Sequence, residues 1–593
     1  MLLSTIDWVI IALYFIITLL VGLFYAGRAG KNISEYFISG RNMPWWLLGT
    51  SMVATTFAAD TPNLVTEIVR RNGVSGNWVW WAFLLTGMVT VFFYAKLWRR
   101  SEALTDIGFY EMRYSGKKAA FLRGFRAIYL GVFFNVVIMA TVTLAAIKIG
   151  NIVLGLDKYT TVIICALITA IYSCTSGIWG VVVTDLLQFT LAITASIGAA
   201  YFALQHPEVD GLRNLLTHEA IQGKLHFLPD FSSHDVIYIF IIPIAVQWWA
   251  TWYPGAEPGG GGYVAQRMLA AKDEKNSLLA TLWFNFMHYA IRPWPWILVA
   301  LASLVVFPDL ESIGRQFPQI EQHGIDLKHD LGYPAMLVFM PAGMLGLIIA
   351  SLAAAYMSTI STHLNWGASY VVDDFYKRFI RQDASDRHYV FVARLVTVIL
   401  MILAGFVSFY LETALDSFHI LLQIGAGTGL IFLLRWFWWR INAWSEIVAM
   451  IVSFLIAIYF EFIHERIGYT ALESWQQLVI GVVITTIAWL LATFLTRPTD
   501  PEVLSRFYQK IRPLGPGWRQ FASANDSAEG ENFTASLLCV VLGCFGIYSS
   551  LFATGYLLYG RTGLSILFAI IAVICATGII KLFPKLGWRM HNQ

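Results

Sequence analysis

The chain has 593 residues, 58% of them hydrophobic and 13% charged, with a formal net charge of +3. A soluble globular chain carries roughly 25% charged residues, so about half the usual charge is missing, which excludes water as the main solvent. So small a net charge argues against a nucleic-acid partner. The cysteines fall inside apolar runs without paired Cys or Cys/His spacing, so neither a zinc site nor a disulfide framework is expected.

From the N-terminus, Met1-Leu2-Leu3 lacks the basic region of a cleaved signal, and residues 6–26 read as a retained first span. A spanning helix needs roughly 20 mostly apolar residues. That rule gives about fifteen transmembrane helices, at 6–26, 45–70, 76–98, 122–154, 159–176, 179–204, 235–265, 276–307, 333–370, 389–411, 416–438, 443–463, 474–496, 533–559 and 564–583. With the N-terminus outside, basic residues fall in the alternate, inner loops: Arg99, Arg100, Arg113 and Lys117, then Arg267 and Lys272, then Lys377, Arg378 and Arg381. The loops 205–234 and 308–332 are poorer in Lys and Arg, which is the positive-inside pattern. Arg70-Arg71 is the exception. The expected product is an all-α polytopic membrane protein of the cell (inner or plasma) membrane, N-terminus outside and C-terminus cytoplasmic. The polar stretch 497–532 reads as a cytoplasmic linker, which leaves no place for a soluble catalytic domain.

Transporters place their sites where spanning helices are interrupted, because unwound carbonyls can coordinate cations at membrane depth. The span 45–70 carries Ala54-Thr55-Thr56-Phe57-Ala58-Ala59-Asp60-Thr61-Pro62 at its middle. Pro62 removes an amide donor, and the threonines can satisfy freed backbone groups. The span 235–265 runs into Trp252-Tyr253-Pro254-Gly255-Ala256-Glu257-Pro258 followed by Gly259 to Gly262, either a second break or an ordinary inner loop.

In 333–370, Ser358, Thr359, Ser361 and Thr362 place four hydroxyls within five residues, with Ser358 and Ser361, and Thr359 and Thr362, each sharing a helix face. Neutral hydroxyls and carbonyls suit a monovalent hard cation; small residues also pack helices in membranes, so both readings stand. Asp185 lies inside an apolar span, and an intramembrane carboxylate is costly enough to mark an ion or proton path. By chain direction, Ser361 and Thr362 lie one turn nearer the cytoplasm than Ser358 and Thr359, at the depth of Asp185. Two ion positions are therefore permitted.

These residues resemble the sodium:solute symporter family, which includes sodium–glucose, sodium–proline and sodium–sialic acid transporters. The resemblance covers roughly residues 1–465. It rests on Tyr36-Phe37-Ile38-Ser39-Gly40-Arg41, Thr184-Asp185-Leu186-Leu187-Gln188, Gln266-Arg267-Met268-Leu269-Ala270-Ala271-Lys272, the Ala354–Asn365 run and Arg435–Glu446. It implies a LeuT-type core of two inverted five-helix repeats at 45–204 and 235–438, with 1–44 and 439–593 as additions. It also implies a sodium site made by the carbonyls of Ala54, Phe57 and Ala355 with the hydroxyls of Ser358 and Thr359, and a possible second sodium at Asp185, Ser361 and Thr362. Serine is more usual at two of these places, but threonine keeps the oxygen. Substrate positions in sugar-carrying relatives correspond to Asp60, Thr61, His288 and Gln423. The Pro254–Gly262 stretch departs from the family pattern and leaves the inner gate and the solute open.

The function expected is sodium-coupled symport of a small polar solute, sugar-like or another neutral metabolite, by alternating access, with one sodium ion or two. A proton-coupled carrier of the same fold and a transporter-like sensor are the alternatives. No enzyme is expected, since no nucleophile–base spacing supports Asp60, Glu257 or His288 as catalytic groups. Neither a nucleic acid nor an obligate protein partner is expected; the partners are sodium, the solute and the bilayer. Trp78, Trp80, Trp81, Trp248, Trp249 and Trp252 form either stacking surfaces for the solute or an interfacial aromatic belt.

Overall fold

The computed structural model describes residues 3–29, 41–103, 106–172, 178–251, 257–522 and 532–588. Among these no strand forms, and Met43 and Ala271 make an isolated bridge. The helices that build the membrane body are α1 (Thr5–Ala29), α2 (Trp45–Thr55), α3 (Thr61–Asn72), α4 (Val74–Ser101), α5 (Gly116–Leu154), α6 (Lys158–Tyr172), α7 (Ile178–Leu204), α8 (Gly262–Ala270) and α9 (Glu274–Val306). They continue as α10 (Met344–Ile380), α11 (Asp386–Ser408), α12 (Ala414–Ile424), α13 (Thr428–Phe437), α14 (Ala443–Ile463), α15 (Ser474–Leu495), α16 (Phe533–Leu558) and α17 (Thr562–Leu582). Among the described residues, ten helices are long and apolar enough to cross a bilayer, and the bent pair α12–α13 adds an eleventh. Of the other expected spans, α1 covers all of 6–26, those at 45–70 and 235–265 are broken, and α6 runs to Tyr172, where the described residues stop.

Local chemistry explains the boundaries. The Asp273, Ser385 and Thr413 side chains cap α9, α11 and α12 by accepting from backbone amides, and Asn442 forms a capping box on α14. The span expected at 416–438 is not continuous: α12 and α13 meet at 50°. Gly427 has a φ of 76°, which a residue with a Cβ rarely adopts. A Cβ at Gly429 would come 1.5 Å from the Trp249 carbonyl oxygen, so this bend fits tightly against the segment before the second break. Residues 252–256 of that second break, and 36–40 of the motif before α2, lie outside the described residues.

Burial separates a core from a jacket. The most apolar stretch of α9 is 89% buried, whereas those of α11 and α17 are 17% and 6% buried and present apolar side chains outward, as lipid-facing helices do. The broken helix α2 packs against α7, α8, α9 and α10, and α7 and α10 also pack on one another. The two halves α2 and α3 are therefore held at the centre. The segment expected as a linker at 497–532 contains a helix, Pro501–Ile511, with Leu504, Phe507 and Ile511 buried, and Trp518 stacks on Phe507. It docks on the body because those apolar groups gain by leaving water.

Buried charges occur toward both ends of the body. One end, called here the basic end, holds buried pairs Arg100–Glu274 at 2.7 Å, Arg126–Glu257 at 2.5 Å and Arg435–Glu446 at 3.2 Å. At the other end Lys148 pairs with Asp330 at 2.6 Å, and Arg70 donates to the Ser303 and Phe307 carbonyls.

Candidate functional site

The chain unwinds for a few residues between α2 and α3. The Phe57 amide donates to the Ala54 carbonyl at 3.0 Å, and the Thr61 amide to that of Ala58 at 3.2 Å. Thr55 and Thr56 turn their hydroxyls back onto the carbonyls of Ser51 and Val53, at 2.9 and 2.8 Å. These threonines thus do what a helix end at membrane depth requires: they satisfy backbone groups that water cannot reach.

Beside the break, α9 contains a π-helical turn, Met287–Ile291, a distortion frequent at functional sites. It carries His288, which is buried with Nδ1 3.3 Å from Thr56 Oγ1 and Nε2 3.3 Å from Arg292 Nη2. Since the guanidinium can only donate, Nε2 accepts, and the ring proton of a neutral His288 is assigned to Nδ1, donating to Thr56. Arg292 also donates from Nη1 to the Thr56 carbonyl at 3.0 Å, and it lies over the Trp296 ring at 5.2 Å. Arg292 therefore clamps α9 to the break. Sequence reasoning missed it, although an arginine in an apolar span, directly before Pro293, is the kind of intramembrane charge that marks function.

A cavity of about 80 Å³ lies at this junction, lined among others by Asp60, Thr61, Trp80, Tyr263, His288 and Arg292. A second chamber of about 40 Å³ shares Thr56 and His288 with it and reaches Glu257 at the basic end. Asp60, Thr61 and His288 are thus brought together. Gln423 is not. It donates to the Gln477 carbonyl at 3.3 Å and lines a wider cleft of about 540 Å³ with Arg71, Gln247 and His419. Of the tryptophans, Trp80 reaches the cavity and meets His288 edge-on with centroids 5.8 Å apart; Trp78 is tied to the Phe227 carbonyl at 2.8 Å, and Trp252 lies outside the described residues.

The oxygen-rich face lies on α10. Ala355, Ser358, Thr359 and Ser361 are buried, and Thr362 is half-buried. Thr359 Oγ1 has no hydrogen-bond partner among the described residues, while Ser361 donates to the Ser358 carbonyl at 3.3 Å. Ala54 and Phe57, at the end of α2, are buried as well. A buried hydroxyl left without a partner costs about 1–3 kcal/mol, so the Thr359 oxygen fits a cation ligand. The residues suit sodium.

Asp185, on α7, accepts from Ser51 at 2.6 Å and lies 3.6 Å from Arg267, which also donates to Ser51 and Thr55 at 3.3 Å. Its second oxygen, Oδ1, is buried without a partner. The carboxylate is therefore joined to α2 and α8, and its charge is balanced by Arg267.

The model of the sodium:solute symporter family matches residues 36–453. A sodium/glucose cotransporter of Vibrio parahaemolyticus is 24% identical over 476 residues, 78% of this chain and 86% of the relative. Sodium/glucose cotransporter 1 of Mus musculus is also 24% identical and spans 85% of this chain and 81% of its own. A Na+-coupled sialic acid symporter, solved in a substrate-bound outward-open state, superposes with a TM-score of 0.64 at 22% identity, covering 84% of this chain and 99% of that one. The fold is therefore the all-helical carrier fold of the LeuT type expected from the sequence, with α15 to α17 lying beyond the family match. Its broken central helix, its hydroxyl-rich partner helix and a match over most of its length place the chain in the sodium:solute symporter family, to which it belongs.

Proposed function

We propose that this protein imports a small polar solute by sodium-coupled symport. The observation that carries the reading is the orphaned hydroxyl of Thr359, on a buried face of the helix packed against the broken end of α2. Sodium sits among the carbonyls of Ala54, Phe57 and Ala355 and the hydroxyls of Ser358 and Thr359. There it bridges α2 to α10 and stabilises the arrangement that captures solute. The solute occupies the cavity at Asp60, Thr61 and His288, with Arg292 added; Gln423 belongs to its approach, in the wide cleft.

The inverted repeats run over 45–204 and 235–438, the N-terminus lies outside, and the basic end faces the cytoplasm of a cell membrane. Lipid-facing helices and basic inner loops support that orientation. In this arrangement the Arg126–Glu257 pair closes the inner side of the solute path. A second sodium at Asp185, Ser361 and Thr362 requires Arg267 to withdraw from the carboxylate. The names of relatives favour a carbohydrate, and the sugar-like or other neutral metabolite expected from the sequence is consistent with a site carrying one acid and one base. Transport, with no chemical conversion of the solute, is what such a site can do.

One observation favours a proton-coupled carrier instead: Asp60 Oδ1 is buried without a partner and can hold a proton. Uptake of a labelled metabolite panel into proteoliposomes decides between the two. Sodium symport predicts accumulation driven by an inward sodium gradient and indifferent to a protonophore. Accumulation without sodium that a protonophore abolishes overturns it.

A further inference from the structure

Around the break, the solute cavity holds a carboxylate and a guanidinium that do not pair with each other. The inference drawn from this rests on reading that cavity as the solute site. Asp60 and Arg292 both line it. No ion pair within 4.0 Å joins them among the described residues. Asp60 Oδ1 accepts no hydrogen bond and Arg292 Nε donates none, although both atoms are buried. Four buried pairs elsewhere face one another directly, Arg100–Glu274, Arg126–Glu257, Lys148–Asp330 and Arg435–Glu446, while the buried Arg70 and Arg113 donate to backbone carbonyls and share no cavity with a carboxylate among the described residues. Here the partners are withheld.

The cavity is about 80 Å³, and the adjoining chamber adds about 40 Å³. Charge narrows the occupant. A simple acid would satisfy Arg292 but bring a second negative charge to Asp60; a simple amine would do the reverse to Arg292. A neutral polyol can hydrogen-bond to both groups but brings no counter-charge to either.

We propose that the carried solute is a small zwitterion, an ammonio-carboxylate of the amino-acid or betaine type. Its carboxylate docks on the free edge of Arg292, whose planar fork matches carboxylate geometry. Its ammonium sits against Asp60 and the aromatic wall of Trp80 and Tyr263, where a ring face attracts a cation. Both unmatched charges are then compensated in one step, and the net charge of the site stays zero.

The test is the melting temperature of the full chain in detergent with the proteinogenic amino acids, glycine betaine, D-glucose and N-acetylneuraminate, each in NaCl and in KCl. The expected result is a rise of several degrees with at least one small zwitterion, larger in NaCl, and none with D-glucose or N-acetylneuraminate. Asp60→Asn loses the solute shift and keeps the shift caused by sodium alone; Arg292→Gln, which also releases the clamp on Thr56, loses the solute shift. Arg292→Lys, which keeps the charge without the fork, weakens apparent affinity about tenfold; with Asp60→Asn it carries the test if Arg292→Gln does not fold. A shift with D-glucose or N-acetylneuraminate and none with zwitterions overturns the assignment and leaves sodium symport standing. So does sodium stabilisation with no response to any zwitterion, or a zwitterion response unchanged in both Asp60→Asn and Arg292→Lys. Zwitterion stabilisation with no sodium effect in any condition sinks the sodium-coupled reading and keeps the zwitterion. No shift with any compound overturns both.

Discussion

Arg126 and Arg292 are both arginines buried among apolar helices, but the protein surrounds them differently. Arg126 donates to both oxygens of Glu257 at 2.5 Å and lies over the Phe432 ring at 4.6 Å. Arg292 has a carboxylate in the same cavity, Asp60, and makes no ion pair with it; its hydrogen bonds go to Thr56 and His288. At the basic end the guanidinium groups of Arg100, Arg126 and Arg435 each meet a carboxylate directly, although Arg126 Nε and Nη1 find no hydrogen-bond partner among the described residues. At the cavity charge is kept available. A buried ion pair is poor evidence of net stabilisation, because desolvation offsets much of its attraction, yet removing one member leaves the other uncompensated at high cost. The difference therefore separates groups that lock a conformation from groups that wait for a ligand, and it can be probed with single substitutions.

The largest effect on stability is expected at the lock. Glu257→Gln strands the Arg126 charge and should cost about 3–5 kcal/mol. The double change Arg126→Met with Glu257→Met should restore most of that loss, measured as melting temperature in detergent. If the single and double variants melt alike, the pair is not what holds the basic end.

Thr359→Ala should do the opposite. It removes an oxygen that has no protein partner, so folding should change little. The sodium concentration for half-maximal stabilisation should rise about tenfold, the equivalent of roughly 1.4 kcal/mol. Ser358→Ala should move the same way. Unchanged sodium dependence in both would reduce the hydroxyl run to helix packing.

Asp185 lies between the two cases, with one oxygen bonded to Ser51 and near Arg267 and the other free. Asp185→Asn should therefore lower stability by less than Glu257→Gln. If a second sodium binds there, the variant should also reduce the steepness of the sodium dependence of uptake. Unaltered steepness argues for a single ion, with Arg267 as the permanent counter-charge.

The smallest effect belongs to the exposed pair Lys328–Glu412, 2.7 Å apart with Lys328 34% and Glu412 54% exposed. The hydrogen bond and charge of Lys328 hold the Glu412 carboxyl below its ordinary value of 4.5, and the same contact with Glu412 holds the Lys328 ammonium above its ordinary 10.5. A depressed acid contributes stability above its unfolded pKa and loses it as pH falls through the folded one. A raised base contributes below its unfolded pKa and loses it as pH rises through the folded one. The pair is thus complete between those two values and fades beyond either. Solvent screening keeps it under about 1 kcal/mol. Glu412→Gln should shift the melting temperature at pH 7 barely at all, and a drop comparable to that of Glu257→Gln would erase the distinction between exposed and buried pairs.

Much of this design is legible in the sequence because membranes impose strong rules. The spans follow from apolar length. The break after α2 follows from Pro62 and the threonines around it, and the buried hydroxyl face of α10 from the spacing of Ser358 to Thr362. Other features leave a weaker trace. The bend at Gly425–Gly427 sits inside a run apolar enough to pass as one helix, and only its glycines hint at it. Gln423 and Phe418 lie on the same helix, yet Phe418 lines the cavity and Gln423 the wide cleft, a distinction of helix rotation that a linear reading does not resolve. Arg292 was hidden by His288, four residues earlier, which already filled the place expected for a polar group in that span. The docking of Pro501–Ile511 was obscured by the many polar residues around its few buried ones. Periodicity over eleven residues is a short signal.

The central claim is that an oxygen site between α2 and α10 binds the driving ion. Equilibrium binding of radioactive sodium to the purified full chain tests it without knowledge of the solute. The account predicts saturable binding that unlabelled sodium competes and potassium does not, strongly weakened by Thr359→Ala in protein that melts as the wild type does. Absence of saturable sodium binding, or binding untouched by both Thr359→Ala and Ser358→Ala, would contradict it.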